Sequence, residues 1–138
     1  MKKITVIVIV DKEGGISFGG KRQSRDRELI KDIIASTDGK IYMKEYSSKL
    51  FGDYPDRIAV AENPILKCPD GGAAFLEGEK IGPYIESIGR VIVYTWDKVY
   101  PTDEYFDIPE IFDEGELIES SEIKGFSHDV ITKEVLEI

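Results

Sequence analysis

The sequence is poor in the residues that build cross-links and metal centres. Of its 138 residues, one is cysteine (Cys68) and one is histidine (His128). A lone thiol forms no internal disulfide, which points to a reducing compartment and a cytoplasmic location. One His and one Cys exclude a multi-ligand Cys/His metal site, so no metal is expected. Long apolar runs are missing as well. Met1-Lys2-Lys3 followed by Ile4–Val10 looks like the start of a signal peptide. The run ends at Asp11-Lys12-Glu13, with no small-residue cleavage site. Nothing approaches the ~20 apolar residues of a membrane span, so no membrane partner is expected. Basic residues are outnumbered: 18 Lys plus Arg against 27 Asp plus Glu give a net charge of -9, which argues against binding nucleic acid.

What remains is the composition of a globular protein. Hydrophobic residues make up 41% and charged residues 33%, so a core can form without staples. The length fits one domain over 1–138. Ile4–Val10 is a β-branched run suited to a strand buried on both faces. Gly14, Gly15, Gly19 and Gly20 mark a flexible loop. Ser24 is placed to cap a helix over Arg25–Ser36, whose apolar stripe is Leu29, Ile30, Ile33 and Ile34. Further strands are expected at Ile41–Met43, Arg57–Ala61, Ala73–Leu76 and Val91–Trp96, with a short helix over Glu45–Leu50. Pro83 opens another helix, with Gly89 as its stop. Glu116–Ile123 and Asp129–Ile138 read as a closing hairpin. The fold class is therefore α/β, a mostly parallel sheet flanked by helices with an antiparallel C-terminal pair.

Charge is uneven along the chain. Residues 1–69 hold 13 Lys/Arg against 10 Asp/Glu, and residues 70–138 hold 5 against 17. The basic cluster Lys21, Arg22, Arg25, Arg27 and Lys31 is either a solvated helix start or an anion site at a helix N-terminus. Gly15 to Lys21 also matches most of a phosphate-binding P-loop. That motif needs Ser or Thr next, to hold Mg²⁺, and the chain has Arg22.

The ordered set of elements resembles dihydrofolate reductase over nearly the whole chain. The carriers are an Ile/Val strand ending in Val10-Asp11, Gly15-Ile16 opening a loop, and a helix starting with acids. Then follow a strand ending at Met43, Pro55-Asp56-Arg57 before a strand, Arg90–Thr95, and Asp103-Glu104-Tyr105-Phe106. The resemblance implies that fold, and reduction of a dihydropterin or folate-like substrate by NADPH. It implies a catalytic carboxylate at the start of the first helix, and both Asp26 and Glu28 qualify. In an apolar cleft such an acid would have a raised pKa suited to proton donation. It implies Arg57 and Thr95 on the substrate, and Gly15, Ser47 and Gly78 on the cofactor.

The cofactor pattern departs from the family. Lys44-Glu45 stand where it has Gly-Arg, Glu62 stands where partners of the 2′-phosphate are usual, and Glu77-Gly78 replace paired glycines. A charge-assisted phosphate contact is worth about 1.5–3 kcal/mol, so these changes weaken NADPH by roughly a hundredfold. The alternative is a non-catalytic module on this fold that binds a small molecule, a nucleotide or a protein. Oligomeric state is not legible.

Overall fold

The computed structural model describes residues 2–107 and 110–138. In chain order the strands are β1 (Ile4–Val10), β2 (Gly15–Phe18), β3 (Lys21–Arg22), β4 (Ile41–Met43), β5 (Ile58–Val60), β6 (Ala73–Phe75), β7 (Ile88–Thr95), β8 (Glu104–Tyr105), β9 (Glu116–Ile123) and β10 (Ile131–Glu137). The helices are α1 (Arg27–Ala35), α2 (Glu45–Ser48), α3 (Pro64–Lys67) and α4 (Ile111–Glu114), with 3₁₀ turns at Lys49–Phe51, Pro55–Arg57 and Gly82–Ser87.

Seven strands form one sheet in the order β5-β4-β6-β1-β7-β10-β9, and β3-β2-β8 form a small second sheet. β1 runs parallel to both β6 and β7. β10 is antiparallel to its neighbours β7 and β9. The expected α/β class and closing antiparallel pair are what the chain forms. Among the described residues no helix is long and apolar enough to cross a membrane.

Alternation along β1 divides the core into two layers. Val6, Val8 and Val10 meet Val91 and Val93 on one face, over Ile65, Cys68 and Ile81. On the other face, Ile7 joins Ile92, Tyr94 and the α1 stripe Leu29, Ile30 and Ile33. Burying each of these α1 side chains contributes about 1.5–3 kcal/mol, more than the propensity of a nine-residue helix could supply. α1 is also tied to the sheet by polar groups. Tyr94 Oη donates to Asp32 Oδ2 at 2.6 Å, and Lys133 Nζ of β10 lies 3.1 Å from the same oxygen. Burial and the Asp32 carboxylate together push the Tyr94 hydroxyl far above its ordinary pKa.

Three local expectations are corrected. The glycine-rich stretch is an ordered hairpin: Phe18 pairs with Lys21 across Gly19-Gly20, both at positive φ, as a two-residue turn requires. The cap of α1 is Asp26, whose side chain accepts from Glu28 N, and not Ser24. Gly89 is not a helix stop but lies inside β7, because the Pro83 segment is a 3₁₀ turn ending at Ser87.

Candidate functional site

The C-terminal ends of parallel strands are where an open α/β sheet receives ligands. Here the ends of β1, β6 and β7 meet the β2–β3–β8 sheet and enclose a cleft. Val8, Ile9, Ile16, Leu76 and Trp96 form its apolar walls, with Gln23 and Ser24 beside them. Its rim carries Glu77, Glu79, Glu104 and Asp107 against Arg22 and Lys80. A second lobe continues past Lys21, Lys44, Tyr46 and Ser47. Gln23 Nε2 donates to Asp11 Oδ2, which fixes the amide orientation. Its Oε1 is buried without a hydrogen-bond partner.

A charged bar separates the lobes. Arg22 of β3 grips Glu77, just past β6, through Nε–Oε2 at 2.8 Å and Nη2–Oε1 at 2.9 Å. Ser47 Oγ donates to the same Glu77 Oε1 at 2.7 Å. The Arg22 guanidinium also lies 4.2 Å over the Tyr46 ring. The Glu77 hydrogen bond raises the Arg22 pKa further, against the opposing effect of burial. Bidentate geometry of this kind is the strong form of an ion pair.

The candidate acids lie elsewhere. Asp26 is 4% exposed and borders a separate surface hollow with Arg25, Arg27, Lys49 and Phe126. Its carboxylate accepts backbone N–H groups from Glu28, Phe126, Ser127 and His128, and meets His128 Nδ1 at 3.0 Å. Burial alone would raise its pKa. The donors from Phe126, His128, Ser127 and Glu28 outweigh burial and hold the pKa well below the ordinary carboxylate value. The expected shift therefore has the wrong sign for a proton donor, because the apolar cleft assumed for this acid is instead a nest of N–H groups. Glu28 does not line the cleft; its Oε2 is 3.4 Å from Lys31 Nζ on the surface of α1.

The substrate-side candidates are separated too. Arg57 donates to the carbonyls of Gly39, Ile34 and Thr37 and to Thr37 Oγ1. Four of its five N–H groups thus close the end of α1, leaving one for any ligand. Thr95 pairs with Val10 and follows Tyr94, so it stands on the sheet face away from α1. Among the described residues, the cleft lining includes none of Asp26, Glu28 and Thr95.

On the cofactor side, Ser47 and Gly78 do line the cleft, and Gly78 has φ of +94°. Gly15 is tightly packed: a Cβ there would collide with Thr102 Oγ1 and come within 2.6 Å of Thr102 Cγ2 and 2.9 Å of Asp11 Oδ2. Asp11 holds this corner by accepting from Gly15 N, Glu13 N, Tyr100 N and Gln23. Burial opposes ionisation there, but those donors keep the Asp11 pKa below its usual value. The anion site considered at the α1 N-terminus is filled by the protein's own Asp26 carboxylate.

These residues do not fit NADPH. The Ser47 hydroxyl and the Arg22 fork are spent on Glu77, and Lys44 Nζ is 3.6 Å from Glu79. A phosphate entering this lobe would face the Glu77, Glu79 and Glu104 carboxylates.

The sequence reading missed the most connected group in the region. His128, in the turn between β9 and β10, stacks on Trp96 with ring centroids 4.2 Å apart. Its Nδ1 meets Asp26, and its Nε2 lies 3.1 Å from Ser24 Oγ and 2.8 Å from Tyr100 Oη. No short-range signal could reveal this, because His128 is 102 residues from Asp26 in the chain.

No family model matches the sequence, and no curated protein matches it. Among solved structures, "Dihydrofolate reductase from Enterococcus faecalis complexed with NADP(H)and RAB-propyl" superposes with a TM-score of 0.68, covering 98% of this chain and 95% of that one at 14% identity. The chain has the dihydrofolate reductase fold.

Proposed function

We propose that residues 1–138 are one ligand-binding module on the dihydrofolate reductase scaffold, and that its cleft takes a small flat neutral or cationic molecule without using NADPH. The observation that carries this is the Glu77 carboxylate, held by Arg22 and Ser47 across the lobe that the resemblance gives to the cofactor. The solved neighbour is complexed with NADP(H); here the Ser47 hydroxyl, which the resemblance gives to the cofactor, donates to Glu77. The remaining lobe encloses only about 30 Å³, and the character of its lining favours an uncharged or positively charged guest over an anion. It has apolar walls ending at Trp96 and four carboxylates at its rim against two cations. Neutral or cationic heterocycles bearing N–H edges suit such a lining; polyanions do not.

The reading is tested by thermal unfolding with a 2,4-diaminopyrimidine as probe, and separately with NADPH. A ligand of the native state at a hundredfold excess over its Kd adds about 2.7 kcal/mol. The expected result is a dose-dependent rise in Tm with the diaminopyrimidine and none with NADPH. A rise with NADPH, accompanied by its oxidation when dihydrofolate is added, would restore the reductase reading. No rise with the diaminopyrimidine would remove the ligand class proposed here.

A further inference from the structure

We propose that Ser24, His128 and Asp26 form a nucleophile–base–carboxylate relay that accepts an acyl group from a small ester and hydrolyses it. The proposal does not depend on what else the cleft binds. Asp26 is held ionised by four backbone N–H groups, so the His128 nitrogen facing it carries the hydrogen. The other nitrogen, Nε2, is then a lone-pair acceptor directed at the Ser24 hydroxyl at 3.1 Å. Stacking on Trp96 fixes the imidazole plane. Burial is graded along the chain of groups: Asp26 is 4% and His128 5% exposed, while half-buried Ser24 forms part of the cleft wall. A dry base behind a half-buried serine in the cleft wall, with the base oriented by a third group, is the arrangement that activates serine.

Tyr100 is the competing partner. Its Oη lies 2.8 Å from Nε2, closer than Ser24. One lone pair cannot accept both hydroxyl hydrogens well, so Tyr100 restrains the relay in the resting protein.

The chemistry balances within these groups and water. Ser24 Oγ bonds to the ester carbonyl carbon as its proton passes to Nε2. The bond from that carbon to the alcohol oxygen breaks, and the leaving oxygen takes the proton from Nε2. Water then adds to the acyl-serine carbon, giving its proton to Nε2. The Oγ–carbon bond breaks, Oγ recovers that proton, and the carboxylic acid departs. The carboxylate-rich rim selects for neutral or cationic esters over anionic ones.

The experiment treats the intact protein with a neutral alkyl fluorophosphonate and maps the product by mass spectrometry. Attack by Ser24 on phosphorus expels fluoride and leaves one covalent adduct on that residue. The expected results are one adduct per chain at Ser24, none in S24A, and labelling about three- to tenfold faster in Y100F, where the competing bond is gone. H128Q should label at least about a hundredfold more slowly. Hydrolysis of p-nitrophenyl acetate should follow the same order. If H128Q does not fold, the S24A and Y100F results decide alone. Absence of an adduct at Ser24, or labelling in Y100F no faster than in the parent protein, would overturn the proposal.

Discussion

Arg22 and Glu77 meet end to end across the cleft, Nε to Oε2 at 2.8 Å and Nη2 to Oε1 at 2.9 Å, with Ser47 bonded to the same carboxylate. The pair joins the small sheet to the tip of β6 and divides the cleft, beside the Asp11 contacts that tie β2 to the end of β1. Both side chains are largely shielded, at 20% and 11% exposure, so removing one partner leaves the other poorly solvated. E77Q is expected to cost about 1–3 kcal/mol of stability. Chemical denaturation measures this, and amide exchange in β2 and β3 should speed up together with it. An unchanged midpoint would mean that the pair is ornamental.

Asp26 makes stability depend on acidity. Its folded-state pKa is depressed, so the stabilisation it gives is complete above the unfolded value of about 4. It is lost progressively as pH falls below that value toward the lower folded pKa, when the unfolded chain binds a proton first. Asp11 contributes in the same direction and window. D26N should be less stable than the parent protein at pH 7, by on the order of 2–3 kcal/mol, and flatter below about pH 4. Unfolding midpoints across pH 2–7 check both; parallel curves for the two proteins would contradict the assignment.

Arg57 is expected to act on the fold. R57A removes the donors that close the carbonyl end of α1 at Ile34, Thr37 and Gly39. The expected loss is about 1–3 kcal/mol, with Tm responding and the affinity for a diaminopyrimidine unchanged. A tenfold loss of affinity at constant Tm would return Arg57 to the ligand.

Gly15 is constrained by space. Its backbone closes on Asp11 and Thr102, and a methyl group there would overlap Thr102. G15A should destabilise by about 1–3 kcal/mol, and by less in a T102A background, which lacks both Oγ1 and Cγ2. G14A, where a Cβ meets nothing but φ is +82°, should act through backbone strain alone and gain nothing from T102A.

Much of the scaffold was legible locally. β1 announces itself by an unbroken β-branched run, β7 by its apolar stretch Val91–Tyr94, and the β9–β10 pair by its alternation. The α1 stripe was also clear, but its start was not. Ser24 and Asp26 are both good caps, and Asp26 prevails because its carboxylate also collects N–H groups from residues 126–128. The same long-range contact inverted the expected acidity. The resemblance puts Arg57 on the substrate, yet what it meets is decided by how α1 ends. Ser47 and Gly78, which the resemblance gives to the cofactor, lie in the cleft wall. Position along the chain does not reveal that Glu77 is neutralised by Arg22, 55 residues away.

The central claim is that the lobe beside Ser47 is closed to a pyrophosphate by the Arg22–Glu77 pair. Calorimetric titration of the intact protein with NADPH tests it most directly. The account predicts no saturable heat, which corresponds to a Kd weaker than about 1 mM, or less than about 4 kcal/mol of binding free energy. A saturable isotherm with a micromolar Kd would contradict it.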